Sequence, residues 1–103
     1  MKPDKLPDEC ASLQEVRAEI DRIDRLIVAL VGQRAAYVKA AARFKESEHA
    51  VSAPERFAAM LQARRQWAES EGLNPDVVES IYRELVRYFI AEEKEHWRKG
   101  QLD

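Results

Sequence analysis

LQEVRAEIDRIDRLIVALVGQRAAYVKAAARF, residues 13–44, is the stretch whose reading decides how this chain folds. Its apolar positions run Leu13, Val16, Ile20, Ile23, Ile27 and Leu30, then Arg34, Tyr37, Ala41 and Phe44. The steps alternate three and four without a slip, a heptad seam sustained over several repeats, which predicts a long helix packed as in a coiled coil. Ser12 is the expected N-cap, with Glu15 completing a capping box. Gly32 costs about 1 kcal/mol relative to alanine but does not break the pattern. Extended to Glu48, the helix would be about 55 Å long at about 1.5 Å per residue. A small single-chain bundle has no use for such a length, so the excess must pack on something else, and a second copy of the chain is the simplest candidate.

Outward from this helix the punctuation is clear. Residues 1–11 are polar, hold Pro3 and Pro7, and read as a flexible leader. After a short connection at 49–53, Ser52 and Glu55 suggest a second capping box with Pro54 in the first turn. The second helix carries Phe57, Met60, Leu61, Arg64 and Trp67 and stops at Gly72, with Leu73 as the apolar residue that follows such a stop. Asn74-Pro75-Asp76 supplies an N-cap, a first-position proline and a first-turn acid for a third helix. Its stripe is Val78, Ile81, Tyr82, Leu85 and Phe89, then Glu93, then Trp97, with Gly100 as the expected end. The expectation is all-α: three helices per chain with a long first one, a single domain over 12–100, and a tail at 101–103.

Composition agrees and excludes several functions. Of the 103 residues 46% are apolar and 35% charged, too apolar for a disordered tail. The net charge of −2 offers no bulk basic surface for nucleic acid. No run of about 18 apolar residues suggests a membrane span, and residues 1–11 do not read as a secretory signal. A single cysteine, Cys10, permits no intrachain disulfide. The expectation is a soluble cytoplasmic protein without membrane or nucleic-acid partners. His49 and His96 have no neighbours at ligand spacing, so no metal site is expected.

Two charges fall where the periodicity demands apolar residues: Arg34 in the first seam and Glu93 in the third stripe. A buried charge is costly unless it is paired or binds something. Either the two form a buried salt bridge that sets packing register, or they line a polar cavity. Lys45, eleven residues after Arg34, lies close to three turns on, about 16 Å along the same helix face. It could converge with Arg34 on a ligand, or be a solvated lysine at a helix end. Arg17 is about 25 Å from Arg34 along the helix. It is a surface arginine pairing with Asp21, or a group donated to the pocket of an antiparallel partner. Arg56 sits in the first turn of the second helix, disfavoured there by the dipole. Either Glu55 or Glu48 pairs with it, or it awaits a carboxylate.

This set on three helices resembles the all-helical chorismate mutases. The strings EIDRID (19–24), YVKAAARFK (37–45), APERFAAML (53–61) and YFIAEEKEHW (88–97) are most similar to the isochorismate-pyruvate lyases of that superfamily, the salicylate-forming enzymes of bacterial siderophore pathways. The resemblance runs from about Cys10 to Trp97. It implies an intertwined homodimer with two sites, each built from Arg34, Lys45, Arg56 and Glu93 of one chain and Arg17 of the other, with Met60 and Ile90 as apolar walls. The implied substrate is a small dianion, isochorismate or chorismate. The implied reaction is pericyclic, with no cofactor or metal. Lys45 and Glu93 would act at the breaking C–O bond, and the arginines would bind carboxylates. Phe57 and Ala53 stand where mutases typically carry a glutamate and an aspartate, which favours lyase over mutase and leaves mutase activity as a side reaction. Glu93 stands where a lyase of this kind has glutamine, so it is expected to act only when protonated. A chorismate mutase, or a non-catalytic helical dimer that kept the fold, is the competing reading.

Overall fold

A computed structural model describes residues 5–45, 50 and 53–102. Among them lie a 3₁₀ turn (Pro7–Glu9) and three helices, α1 (Leu13–Ala42), α2 (Pro54–Ser70) and α3 (Pro75–Leu102), and no strand. The chain divides within α1 into two compact units, Met1–Ala36 and Tyr37–Asp103.

In the first unit, Ser12 caps α1 as its residue type predicts: its Oγ accepts from the Glu15 N–H at 3.1 Å. Glu15 does not close the box on Ser12. Its carboxylate accepts from the Ala11 N–H at 2.6 Å and takes the Lys5 ammonium at 2.7 Å. The Lys5 N–H reaches Glu19 at 3.2 Å, and Leu6 N–H donates to Glu9 at 2.7 Å. The segment read as a leader is thus laid along α1 from Lys5 onward. The heptad seam is not covered by its own unit. Leu13, Val16, Ile20, Ile23, Ile27 and Leu30 are between 37% and 62% exposed.

Helix α1 is shorter than its periodicity predicts. It ends at Ala42, because Arg43, Phe44 and Lys45 donate to the carbonyls three residues back, Ala40, Ala41 and Ala42. That tighter bonding closes the last turn. At 30 residues the helix is about 45 Å long. Glu48, the predicted end, and Ser52, the predicted cap of α2, lie outside the described residues. Pro54 opens α2 as expected, but the residue at the cap position is Ala53, in the left-handed region at φ 40°, with no side-chain cap.

In the second unit α2 and α3 form a helical hairpin across the short connection 71–74. Gly72, at φ 72°, supplies the left-handed residue that lets Leu73 N–H reach Ala68 O at 2.8 Å and Gly72 N–H reach Glu69 O at 3.1 Å, the paired bonds of a Schellman stop. Asn74 Oδ1 then accepts from Asp76 N–H at 2.9 Å to begin α3. Met60, Leu61 and Val86 form the core of the hairpin, with Phe57, Tyr82 and Ile90 packed against it. Ala68 and Phe89 are also buried. Ile81, expected on the packed stripe, is 59% exposed, and Val86 takes the inward place. Arg65 links the helices through Asp76 (2.9 Å) and Glu79 (3.0 Å). Gly100 does not end α3, which continues to Leu102. A lone glycine weakens a helix by about 1 kcal/mol but keeps its N–H and the ladder.

Candidate active site

The buried core of the second unit contains one carboxylate among the described residues, that of Glu93. It stands four residues beyond Phe89, one turn along the face that packs on α2. Lys45, just past the end of α1, brings its ammonium 2.7 Å from Glu93 Oε1. The side chains are 25% and 3% exposed respectively. The ammonium nonetheless lies off the direction a hydrogen bond to that oxygen needs, so Oε1 has an ion pair but no aligned donor. A buried anionic oxygen normally collects aligned donors. This one is left with room to accept another donor.

The remaining predicted residues are placed as follows. Met60 is fully packed and Ile90 half-buried beside it in the hairpin core. Arg56 is exposed in the first turn of α2. It forms no ion pair with Glu55 among the described residues, and Glu48 lies outside them. Arg34 is half-buried on the α1 segment of the first unit. Arg17 is exposed on the same segment and makes no ion pair with Asp21, although the spacing would allow one. The second unit therefore brings Lys45 and Glu93 together, with Met60 and Ile90 in its core, and the first unit carries Arg17 and Arg34.

Two arrangements were not legible in the sequence. Arg64, read as a stripe position, lays its guanidinium 4.5 Å from the Trp67 ring centre and 5.5 Å from that of Tyr82. Half-exposed Trp67 is thus the platform for a cation. Lys5 is tied to Glu15 and Glu19. The Lys5 hydrogen bond, with a second from Ala11 N–H, holds the Glu15 carboxyl below its ordinary value, and the Glu15 partner raises Lys5. On α3, hydrogen bonds from Arg83 and then Arg65 lower Glu79. No group of His, Cys, Asp or Glu among the described residues is placed to hold a metal ion. No described helix is long and apolar enough to cross a membrane.

Among the described residues the chain is helical, with the Lys45–Glu93 pair sunk into the hairpin core and Arg17 and Arg34 on α1. The chain belongs to the chorismate mutase type II family, whose sequence profile matches residues 16–94. It is 48% identical to the isochorismate pyruvate lyase of Pseudomonas aeruginosa over 95 residues, covering 92% of this chain and 94% of that protein. Two T-proteins are more distant. The one from Haemophilus influenzae is 36% identical over 85 residues, 82% of this chain but 22% of the T-protein. The one from Enterobacter agglomerans is 31% identical over 86 residues, 82% and 23% respectively.

Proposed function

We propose that this chain is an isochorismate pyruvate lyase, forming salicylate and pyruvate from isochorismate, with chorismate mutase activity as a weak side reaction. The observation that carries the reading is the Lys45–Glu93 pair: an ammonium and a carboxylate buried together in a chain 48% identical, nearly end to end, to a relative of that name. In the proposed reaction the ether C–O bond breaks as a ring hydrogen passes to the methylene of the enolpyruvyl group. The electrons of the broken bonds become the pyruvate carbonyl and the aromatic ring, so no external oxidant or base is needed. The protein has to hold a flexible dianion in its reactive conformer and stabilise charge developing on the ether oxygen.

Lys45 supplies that stabilisation as a cation at the ether oxygen. Glu93 assists as a hydrogen-bond donor when protonated. Ionised, it repels the same oxygen and holds the ammonium away. Arg34 and Arg56 bind carboxylates, for which a guanidinium fork is suited. Met60 and Ile90 form the apolar wall. Arg17 comes from the partner of an intertwined homodimer. Support for the dimer comes from the apolar seam of α1. It is left open by its own unit, and an apolar surface of that length is normally covered in a soluble protein.

The test is incubation with isochorismate and with chorismate at pH 5 and pH 7.5, following salicylate, pyruvate and prephenate. Salicylate from isochorismate is expected. Prephenate alone would make the protein a mutase, and no product from either substrate would overturn both readings.

A further inference from the structure

We propose that Lys5 is a positioning residue for substrate capture, acting through Arg17 by cancelling negative charge on the opposite side of α1. The inference rests on the reading that Arg17 binds a carboxylate of a dianion. Arg17 stands between two acids in sequence, Glu15 and Glu19. At about 100° per residue each lies about 160° round the helix from it, too far to pair with it but well within the reach of its field. Both acids are engaged on that far face. Lys5 Nζ sits 2.7 Å from Glu15 Oε1, Lys5 N–H donates to Glu19 Oε1 at 3.2 Å, and Arg22 Nε meets Glu19 Oε2 at 3.0 Å. Arg17 itself is left exposed and without an ion pair to Asp21, its guanidinium open to an incoming anion.

The strap also fixes the first turn of α1, just before Arg17, because the Glu15 carboxylate held by Lys5 accepts from the Ala11 N–H and the Glu15 N–H is capped by Ser12. Pro7 and the 3₁₀ turn it opens carry the chain from Lys5 back to that cap.

The magnitude follows from Coulomb's law. A helix is about 10–12 Å across. A charge uncovered at that distance in water acts on a dianion weakly, raising KM about three-fold at an ionic strength of about 0.01 M, where the screening length is about 30 Å. Near 1 M the length is about 3 Å and the effect vanishes.

The experiment measures kcat and KM for isochorismate with the wild type, Lys5→Ala, Lys5→Glu and Lys5→Arg at both ionic strengths. Expected is a KM raised about three-fold for Lys5→Ala and about ten-fold for Lys5→Glu at low salt. The ratio to wild type should fall to about one at high salt, kcat should not change, and Lys5→Arg should restore the wild-type value. A Lys5→Glu protein with wild-type KM at low salt overturns the inference. So does a KM rise that persists at 1 M salt, which would mark a purely structural strap. A wild type that makes no salicylate overturns the underlying reading instead, and that failure shows before any variant is compared.

Discussion

Replacing Glu93 by glutamine separates the role the structure shows, as ion-pair partner of Lys45, from the proposed one as proton carrier. At 2.7 Å from the Lys45 ammonium, the gross attraction at an effective dielectric constant of about 20 is about 6 kcal/mol, most of it offset by the desolvation of a buried carboxylate. Breaking a fully buried pair costs about 3–5 kcal/mol. Lys45 is a quarter exposed, so its ammonium can return to water, and glutamine keeps the volume and an acceptor oxygen. A loss of about 1–2 kcal/mol is expected, seen as a Tm lower by about 4–8 °C per kcal/mol. Activity should move the other way.

In the proposed mechanism Glu93 donates only when protonated, so its help is present at low pH and lost as pH rises. The wild type should therefore fall by up to about tenfold per pH unit on its alkaline side. Glutamine always donates. Glu93→Gln should be level between about pH 5 and pH 8 and exceed the wild type at the alkaline end by about 10²-fold, the worth of one well-placed donor. The assay is initial-rate salicylate formation across that range with both proteins. Level profiles in both would refute the reasoning and leave Glu93 a packing partner of Lys45.

Donation of Arg17 across a homodimer is tested by mixing. Arg17→Ala and Arg56→Ala should each be reduced by about 10–100-fold, and refolding them together should restore about one intact site in four; no recovery would place Arg17 in its own chain's site. Phe89 is 5% exposed in the hairpin, and Phe89→Ala should cost about 3–5 kcal/mol in denaturant unfolding; a loss under about 1 kcal/mol would contradict its burial. Glu79 is held below the ordinary carboxylate value by Arg83 and Arg65. Its contribution to stability is present above that value and lost as pH falls through the depressed one. An NMR titration of its carboxyl carbon should show the lower midpoint, and one at the value of an unstructured glutamate would contradict the paired geometry.

Much of the fold was legible because its signals are local. The helical periodicity from Leu13 to Ala42, the Ser12 cap, the Gly72 stop and the Asn74-Pro75-Asp76 start each act within one or two turns, and each forms in the structure the element its residue type predicts. Helix ends without such punctuation were not legible. Alpha1 tightens and closes at Ala42 although no glycine or proline marks the place, α3 passes through Gly100, and α2 begins from a left-handed Ala53. The stripe of α3 was right at Tyr82, Phe89 and Glu93 and wrong at Ile81, because which of two adjacent apolar rows turns inward depends on the facing helix.

The sequence by itself determined the three long helices found among the described residues, their order and the two charges that break the apolar pattern, since periodicity and capping are properties of neighbouring residues. Only the tertiary structure decided that Glu93 is buried with its oxygen against Lys45, a residue 48 positions earlier, while Arg17 stands exposed. Burial and pairing are set by which side chains the folded helices bring within a few ångströms, and separation along the chain carries no record of that distance.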